Sequence, residues 1–483
     1  MTTVPVNFQA IAPEIVLLGC ACVLLCLGVF LPQRAAERLT PVVAAGGMIG
    51  ALVAAAVQFH SAAHYSFDHT LRIDAFGQGA RMLVFSAGLL AVCMSWGAGG
   101  TMARRAVEYN ALLLAGAAGM SLLCVANSLL MLFVALEMFS IALYVLVAIE
   151  SELLPAVEGA LKYLIIGSVG AAFLLYGSAL VYGATGQLEF DRIALSGGDP
   201  HGVLLLTGLA MIIVGLGFKA NAAPFHMWTP DAYEGAPTPV TAFMSAATKV
   251  VALVIALRVL VTAFPGQAGV WQTAVAGIAI ASFAIGNLGA LRQTNVKRML
   301  AYSTVGHSGF LLTAVAAHSD LGTRALLFYL TVYAVMNVGA FGVVAIRERE
   351  LGRPVEIADF SGWMYRRPLL GGCMIVFMLS LAGFPPTGGF LGKLYVFSAA
   401  VHNGQSYLAV AGVAATLVGL GYYLKVPFAL IDRDVAVPEG AASAGLALTG
   451  PVVAVSAAAV LALGVVPAPV IDLVRTASGS LFG

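Results

Sequence analysis

Five of the six lysines of this 483-residue chain, Lys162, Lys219, Lys249, Lys393 and Lys425, fall inside long apolar runs, while the arginines gather mainly between the runs. The two cations are not equivalent in such a place. A lysine amine can release its proton once desolvated, whereas a guanidinium stays charged. Buried lysine is therefore the cation that proton transfer through an apolar medium would use. Lys249 stands about eleven residues into its run, roughly 16 Å deep at 1.5 Å per helical residue. Among 23 acidic residues, Glu137 alone lies near the middle of a run. Even on lenient scales a charge at the bilayer centre costs about 2.5–3.5 kcal/mol, which makes each such residue a functional candidate.

Position sorts the remaining groups. Lys162 follows Glu158 by one helical turn near the start of its run, so it is either a relay group or a snorkelling side chain. Lys425, near the end of its run, reads as snorkelling. His226 and His307, the latter within "AYSTVGHSGF", are either relay groups or hydrogen-bonded packing residues. His60, His64 and His69 share one loop, but their spacing does not suggest a metal site.

Two runs are interrupted by proline. The stretch "FKANAAPFHMWTPDAYEGAPTP" (218–239) breaks at Pro224, and "GFPPTGG" (383–389) breaks at Pro385 and Pro386. Proline in a helix frees backbone carbonyls, and within a membrane these need protein or a water-lined cavity. Lys219 lies about one turn before its break, where carbonyls and water can solvate an ammonium. Lys393 follows its prolines instead, and the sequence offers no account of that mismatch.

The elements that must hold these groups are membrane helices. The chain is 60% hydrophobic and 10% charged, with a mean hydropathy of +0.95. Its net charge of +1 provides no basic field for nucleic acid. The six cysteines all lie in apolar runs and read as reduced, buried side chains. No Gly-rich dinucleotide loop, Walker lysine or paired-cysteine motif is present, so the chain is not expected to be a redox enzyme by itself or to bind a cofactor or metal. Residues 1–10 lack the basic start of a cleavable signal peptide.

Fourteen spans are expected, at 11–31, 41–59, 75–97, 110–126, 128–149, 158–184, 202–223, 238–264, 270–290, 299–318, 323–346, 369–402, 405–431 and 448–468. The junction of the fourth and fifth, at Asn127-Ser128, is the tightest. With the N-terminus outside, the inner loops hold Arg34, Arg38, Arg104, Arg105, Arg292, Lys297, Arg298, Arg347, Arg349, Arg353, Arg366, Arg367 and Arg433. Only Arg72, Arg192, Arg324 and Arg475 lie outside, a ratio of 13 to 4 that obeys the positive-inside rule. The broken helices, seventh and twelfth, are five apart. Helices 4–8 and 9–13 therefore read as two repeats of five, and the odd number inverts one against the other. The expected fold is an all-α polytopic membrane protein with two inverted five-helix repeats. Its expected divisions are 1–109, 110–264, 265–431 and 432–483.

The segment from Phe218 to Lys249 closely resembles the signature of the antiporter-like subunits of respiratory complex I and of Mrp-type cation/proton antiporters. "NVKRMLAYSTVGHSGF" (295–310) and "GFPPTGGFLGK" (383–393) resemble two further motifs of that family. The likeness spans helices 4–13. Lysine at 393, and a chain that stops soon after helix fourteen without a long lateral helix, resemble the subunit N type of bacterial NADH-quinone oxidoreductase. The resemblance implies that Glu137 pairs with Lys219, that Lys249 is the central protonatable site, and that Lys393 ends the chain of proton carriers. It also implies a place in the bacterial inner membrane, where the 13-to-4 charge count puts both termini on the periplasmic side. Neighbouring membrane subunits and lipid would be the partners, rather than further copies of this chain. FMN, iron–sulfur clusters and quinone would belong to other subunits.

Overall fold

The structure, a computed structural model, describes residues 7–196, 202–432 and 448–482. Arg433 of the charge count lies outside these residues. The described chain is almost wholly helical, and the helices used below are α1 Ala12–Phe30, α2 Gln33–Gln58, α3 Ala75–Ser95, α4 Ala106–Val125, α5 Leu129–Val147, α6 Leu154–Thr185 and α7 Val203–Lys219. They continue as α8 Thr238–Ala263, α9 Pro265–Leu291, α10 Val296–Ala316, α11 Asp320–Leu351, α12 Pro368–Ala382, α13 Gly388–His402, α14 Ser406–Ile431, α15 Thr449–Val465 and α16 Ala468–Phe482. Among the described residues, eleven helices are long and apolar enough to cross a membrane. The seventh, twelfth and fourteenth places are taken by shorter pieces: α7, the broken pair α12 and α13, and the bent pair α15 and α16.

Capping residues explain the boundaries. Asp74, Ser128, Asn295 and Ser319 each accept a backbone N–H from the first turn of α3, α5, α10 and α11. Ser128 thus makes the tight 127–128 junction a true division, and Asn127 ties it to His69 and Asp191. Gly186 and Gly352, both with φ of 68°, close α6 and α11 in the left-handed region. One boundary was misplaced. The second helix begins at Gln33, not 41, and carries Pro41 inside it, so Arg34 and Arg38 sit on a helix rather than in a loop. Two short strands, His64–Ser66 and Leu71–Ile73, form a hairpin that the all-α expectation did not include.

The connections sort into two ends of the bundle, as alternating crossings require. At one end Gln33 reaches Ala103, Arg104 pairs with Glu152, Arg349 reaches Met94, and Lys297 pairs with Glu348. At the other, Gln58 bonds to Gln9, Gln405 to Ala316, and Arg72 to Ser480. These ends are called inner and outer below. α8 is buried along its length and forms the centre of the molecule. α16, which follows the last expected span, is a helix turned 81° from α15 and packed on α3 and α11.

Buried arginines fix the outer half. Arg81, fully buried, donates to Glu14 at 2.6 Å, and Ser121 donates to the same carboxylate oxygen. Arg258 of α8 makes a bidentate pair with Asp74, at 2.7 and 2.9 Å, which Arg72 joins at 3.2 Å. Such pairs offset the desolvation of both partners only when the geometry is this close. They anchor the central helix to the start of α3.

Candidate functional site

The seventh crossing ends by a left-handed closure. Asn221, with φ of 55°, lets the Ala222 N–H reach the carbonyl of Gly217, and the Ala223–Pro224 bond that follows is cis. Lys219 occupies the last turn of α7 and is 3% exposed. Its ammonium donates to the Ser140 hydroxyl at 2.7 Å. Rings of Phe139, Phe218, Tyr163 and Tyr144 stand around it at 5.4, 5.5, 5.7 and 5.8 Å.

The expected ion pair with Glu137 is not made. No ion pair within 4.0 Å among the described residues includes Lys219. Ser140 follows Glu137 by three residues on the same face of α5, and it intercepts the ammonium. Glu137 is half-buried, and its Oε1 has no hydrogen-bond partner.

Lys249 is fully buried in α8, directly after a five-residue π-helical segment, Met244–Thr248. Such segments widen a helix by one residue and recur at functional positions. Here the ammonium reaches the carbonyl of Ala220 at 2.7 Å, the carbonyl of Thr304 at 3.1 Å, and the Ser308 hydroxyl. The Ala220 carbonyl is one that the break releases. Ser308 donates to it as well, at 2.6 Å. Beside it lies a small void lined wholly by apolar residues, among them Leu216, Ala256, Val275 and Leu312.

The second break repeats this closure. Gly383, with φ of 88°, ends α12, and the Pro385–Pro386 bond is cis. Lys393, on α13, turns back to donate to the carbonyls of Leu381 and Ala382, both at 3.0 Å. It therefore caps the half-helix preceding the break, which explains why it follows its prolines. α15 crosses so close that a Cβ on Gly464 would strike the Pro386 carbonyl. His307, buried in α10, bonds through Nδ1 to the Tyr329 hydroxyl at 2.8 Å and through Nε2 to the Tyr423 hydroxyl at 3.0 Å. Tyr423 also bonds to Ser303. His307, Lys393, Asn287, Tyr422 and Tyr423 line one small polar cavity.

The structure thus gathers Lys219, Lys249, His307 and Lys393 into the core, and leaves two candidates apart. Lys162 is 41% exposed and sits at the inner end between Glu158 and Asp231, both at 2.7 Å. Arg298 shares Asp231 with it, at 2.6 Å. His226 lies beyond the first break, in an open cleft with Tyr302 and Arg292. Lys425 is exposed and donates to the Leu291 carbonyl at 2.7 Å, capping α9 rather than only snorkelling. Sequence reasoning missed Ser140, Ser308, Tyr329 and Tyr423. For Ser140 the available signal was a helix face shared with Glu137, and for Ser308 a motif shared with His307, whereas Tyr329 and Tyr423 lie on helices without a named site residue.

The family model described as NADH:quinone oxidoreductase/Mrp antiporter, TM, matches residues 126–419. NADH-quinone oxidoreductase subunit N of Chloroflexus aggregans is 38% identical over 485 aligned residues, covering 98% of each chain. Among solved structures, a chain of respiratory complex I from Thermus thermophilus with bound aureothin superposes with a TM-score of 0.82 at 33% identity, covering 96% of this chain and 99% of that one. A chain of the Mrp complex from Dietzia sp. reaches 0.85 at 22% identity over 97% of both, a likeness of fold alone.

Proposed function

Because the chain belongs to the NADH:quinone oxidoreductase/Mrp antiporter family, we propose that it is the subunit N type of antiporter-like subunit in a bacterial NADH-quinone oxidoreductase, and that it moves protons across the membrane. One observation carries the reading. Lys219, Lys249 and Lys393 are each at most 5% exposed, and each is held by neutral acceptors. A charge-assisted hydrogen bond contributes about 1.5–3 kcal/mol, against several kcal/mol for desolvating an ion. An ammonium so held can give up its proton without stranding a buried carboxylate.

Electron transfer from NADH to quinone takes place on other subunits, which carry FMN and the iron–sulfur clusters. The part of this chain is electrostatic. With Lys219 against Glu137, the lysine charge is partly cancelled and a proton rests on Lys249. With Lys219 withdrawn, its charge repels that proton. About 1.4 kcal/mol of repulsion changes occupancy tenfold. The proton passes by the Ser308 hydroxyl, His307 and water to Lys393, and then leaves. His226 and Lys162, at the inner end, are the entry-side relay groups.

The same reading supplies the setting. The chain lies in the bacterial inner membrane with both termini periplasmic, as the 13-to-4 excess of basic residues assigned to the inner side supports. Residues 110–264 and 265–431 are its inverted repeats, flanked by 1–109 and 432–483. Its partners are neighbouring membrane subunits and lipid, not nucleic acid or further copies of itself. Gentle solubilisation and mass spectrometry test this: NADH-oxidising subunits should copurify. Copurification with antiporter subunits alone would make the chain a cation/proton antiporter component. An active homo-oligomer would end both readings.

A further inference from the structure

The aromatic surround of Lys219 is built, not incidental. Two glycines of α6 admit it: a Cβ on Gly167 would strike the Tyr144 hydroxyl, and one on Gly170 would lie 2.8 Å from the Phe218 ring. Trp228, from beyond the break, stacks on Tyr163 with centroids 4.1 Å apart and backs that ring. Ring faces attract a cation, and more strongly in a dry site. Ser140 completes the surround. Its hydroxyl proton is committed to the Leu136 carbonyl one turn back, so its lone pairs face the ammonium. Glu137, one turn away on α5, meanwhile has an oxygen with no partner.

We infer that Ser140 and its ring cage are a second seat for the Lys219 ammonium, and that Ser140 is a positioning residue setting how the lysine divides between this seat and Glu137. The inference rests on the proton-translocation reading and deepens it. The state depicted here is the withdrawn one, with the charge stabilised by neutral groups rather than left in apolar surroundings. Losing the seat would bias Lys219 toward Glu137 and hold the proton on Lys249.

The test uses the whole complex in sealed vesicles, with proton pumping and coupled NADH–quinone turnover measured across pH. Ser140→Ala should lower pumping by roughly tenfold, the worth of one charge-assisted hydrogen bond, and displace the pH profile. Ser140→Thr, which keeps the acceptor, should restore both. In a Glu137→Gln background the Ser140→Ala change should have little further effect, because the competing seat is already weakened. If the alanine chain fails to assemble, Ser140→Cys, similar in volume but a poor acceptor, carries the same comparison. An unchanged pH profile, or an equal loss with and without Glu137, would overturn the inference. Lys219→Ala and Glu137→Gln separate the two levels. If both impair pumping while Ser140→Ala is silent, only the second seat fails. If both pump normally, the translocation reading fails with it.

Discussion

The two breaks share a backbone and differ in where the charge comes from. Aligned on the left-handed residue and the proline three positions later, Asn221 matches Gly383 and Pro224 matches Pro386. Ala220 then coincides with Ala382, and each of these carbonyls accepts a lysine ammonium. The donor is Lys249, from the next crossing, in one case. In the other it is Lys393, from beyond the same break. Leu381 stands in the place of Lys219, and Lys393 in that of Asp231. What the two regions have in common is a freed carbonyl with a cation on it, not a lysine at a fixed position. Their surroundings also differ. Around the first break are aromatic rings and an apolar void, and around the second are an imidazole, tyrosine hydroxyls and a small cavity that polar side chains reach. The first suits holding a charge, and the second suits passing a proton on.

Lys249→Ala should have the largest effect, because it removes the cation from the Ala220 carbonyl and leaves that carbonyl to the Ser308 hydroxyl of α10. NADH-driven acidification in vesicles is expected to fall by well over tenfold, equivalent to more than about 1.4 kcal/mol, with the complex still assembled. Wild-type pumping would remove Lys249 from its central place.

Lys393→Ala should come next, with a several-fold loss of pumping. Lys393→Arg sharpens the comparison, since it restores a cation to the carbonyls of Leu381 and Ala382 but not an amine that can release its proton. Arginine that caps without pumping separates structural from proton-carrying roles. Arginine that pumps normally would make the second break a cap only.

Tyr423→Phe should cost less, about two- to fivefold in coupled turnover, as expected for a loss of roughly 0.5–1 kcal/mol of neutral hydrogen bonding. It removes one of the two tyrosine bonds to His307 and the bond to Ser303. A loss equal to that of Lys393→Ala would show that the cavity depends on this one hydroxyl.

Lys425→Ala should be nearly silent in pumping, with at most a few tenths of a kcal/mol lost from the end of α9. A large pumping defect there would erase the distinction between buried and exposed lysines on which the comparison stands.

Much of this was legible because lysine and arginine separate so sharply along the chain. The breaks were legible because proline has few other meanings inside an apolar run. The partners were not. Ser140 and Ser308 carry hydroxyls of the commonest kind, and nothing local distinguishes one that faces an ammonium from one that bonds only to its own helix. The Glu137–Lys219 pair came from the family resemblance, and the structure shows how a neighbouring hydroxyl and four rings can take the cation instead. Arg81 and Arg258 were not singled out. The clue was at hand in Glu14 and Asp74, acids at the outer ends of other spans, of which Glu14 has no basic residue near it in sequence, but pairing them needed the packing of α1, α3 and α8. Lys393 was out of register only because the carbonyls it serves lie behind it in the chain.

The transverse α16 has a consequence for how the chain is made. Arg72 and Phe76, at the start of α3, bond to Ser480 across separations of 408 and 404 residues. During synthesis the outer edge of the first crossings must therefore wait, incompletely bonded, until nearly all of the polypeptide has emerged. Contacts so distant in sequence form late and leave intermediates with unpaired groups. This helix acts as a clasp that closes only after Ser480 has been made, so an insertase or a neighbouring subunit has the elongation time of some four hundred residues in which to occupy that edge first.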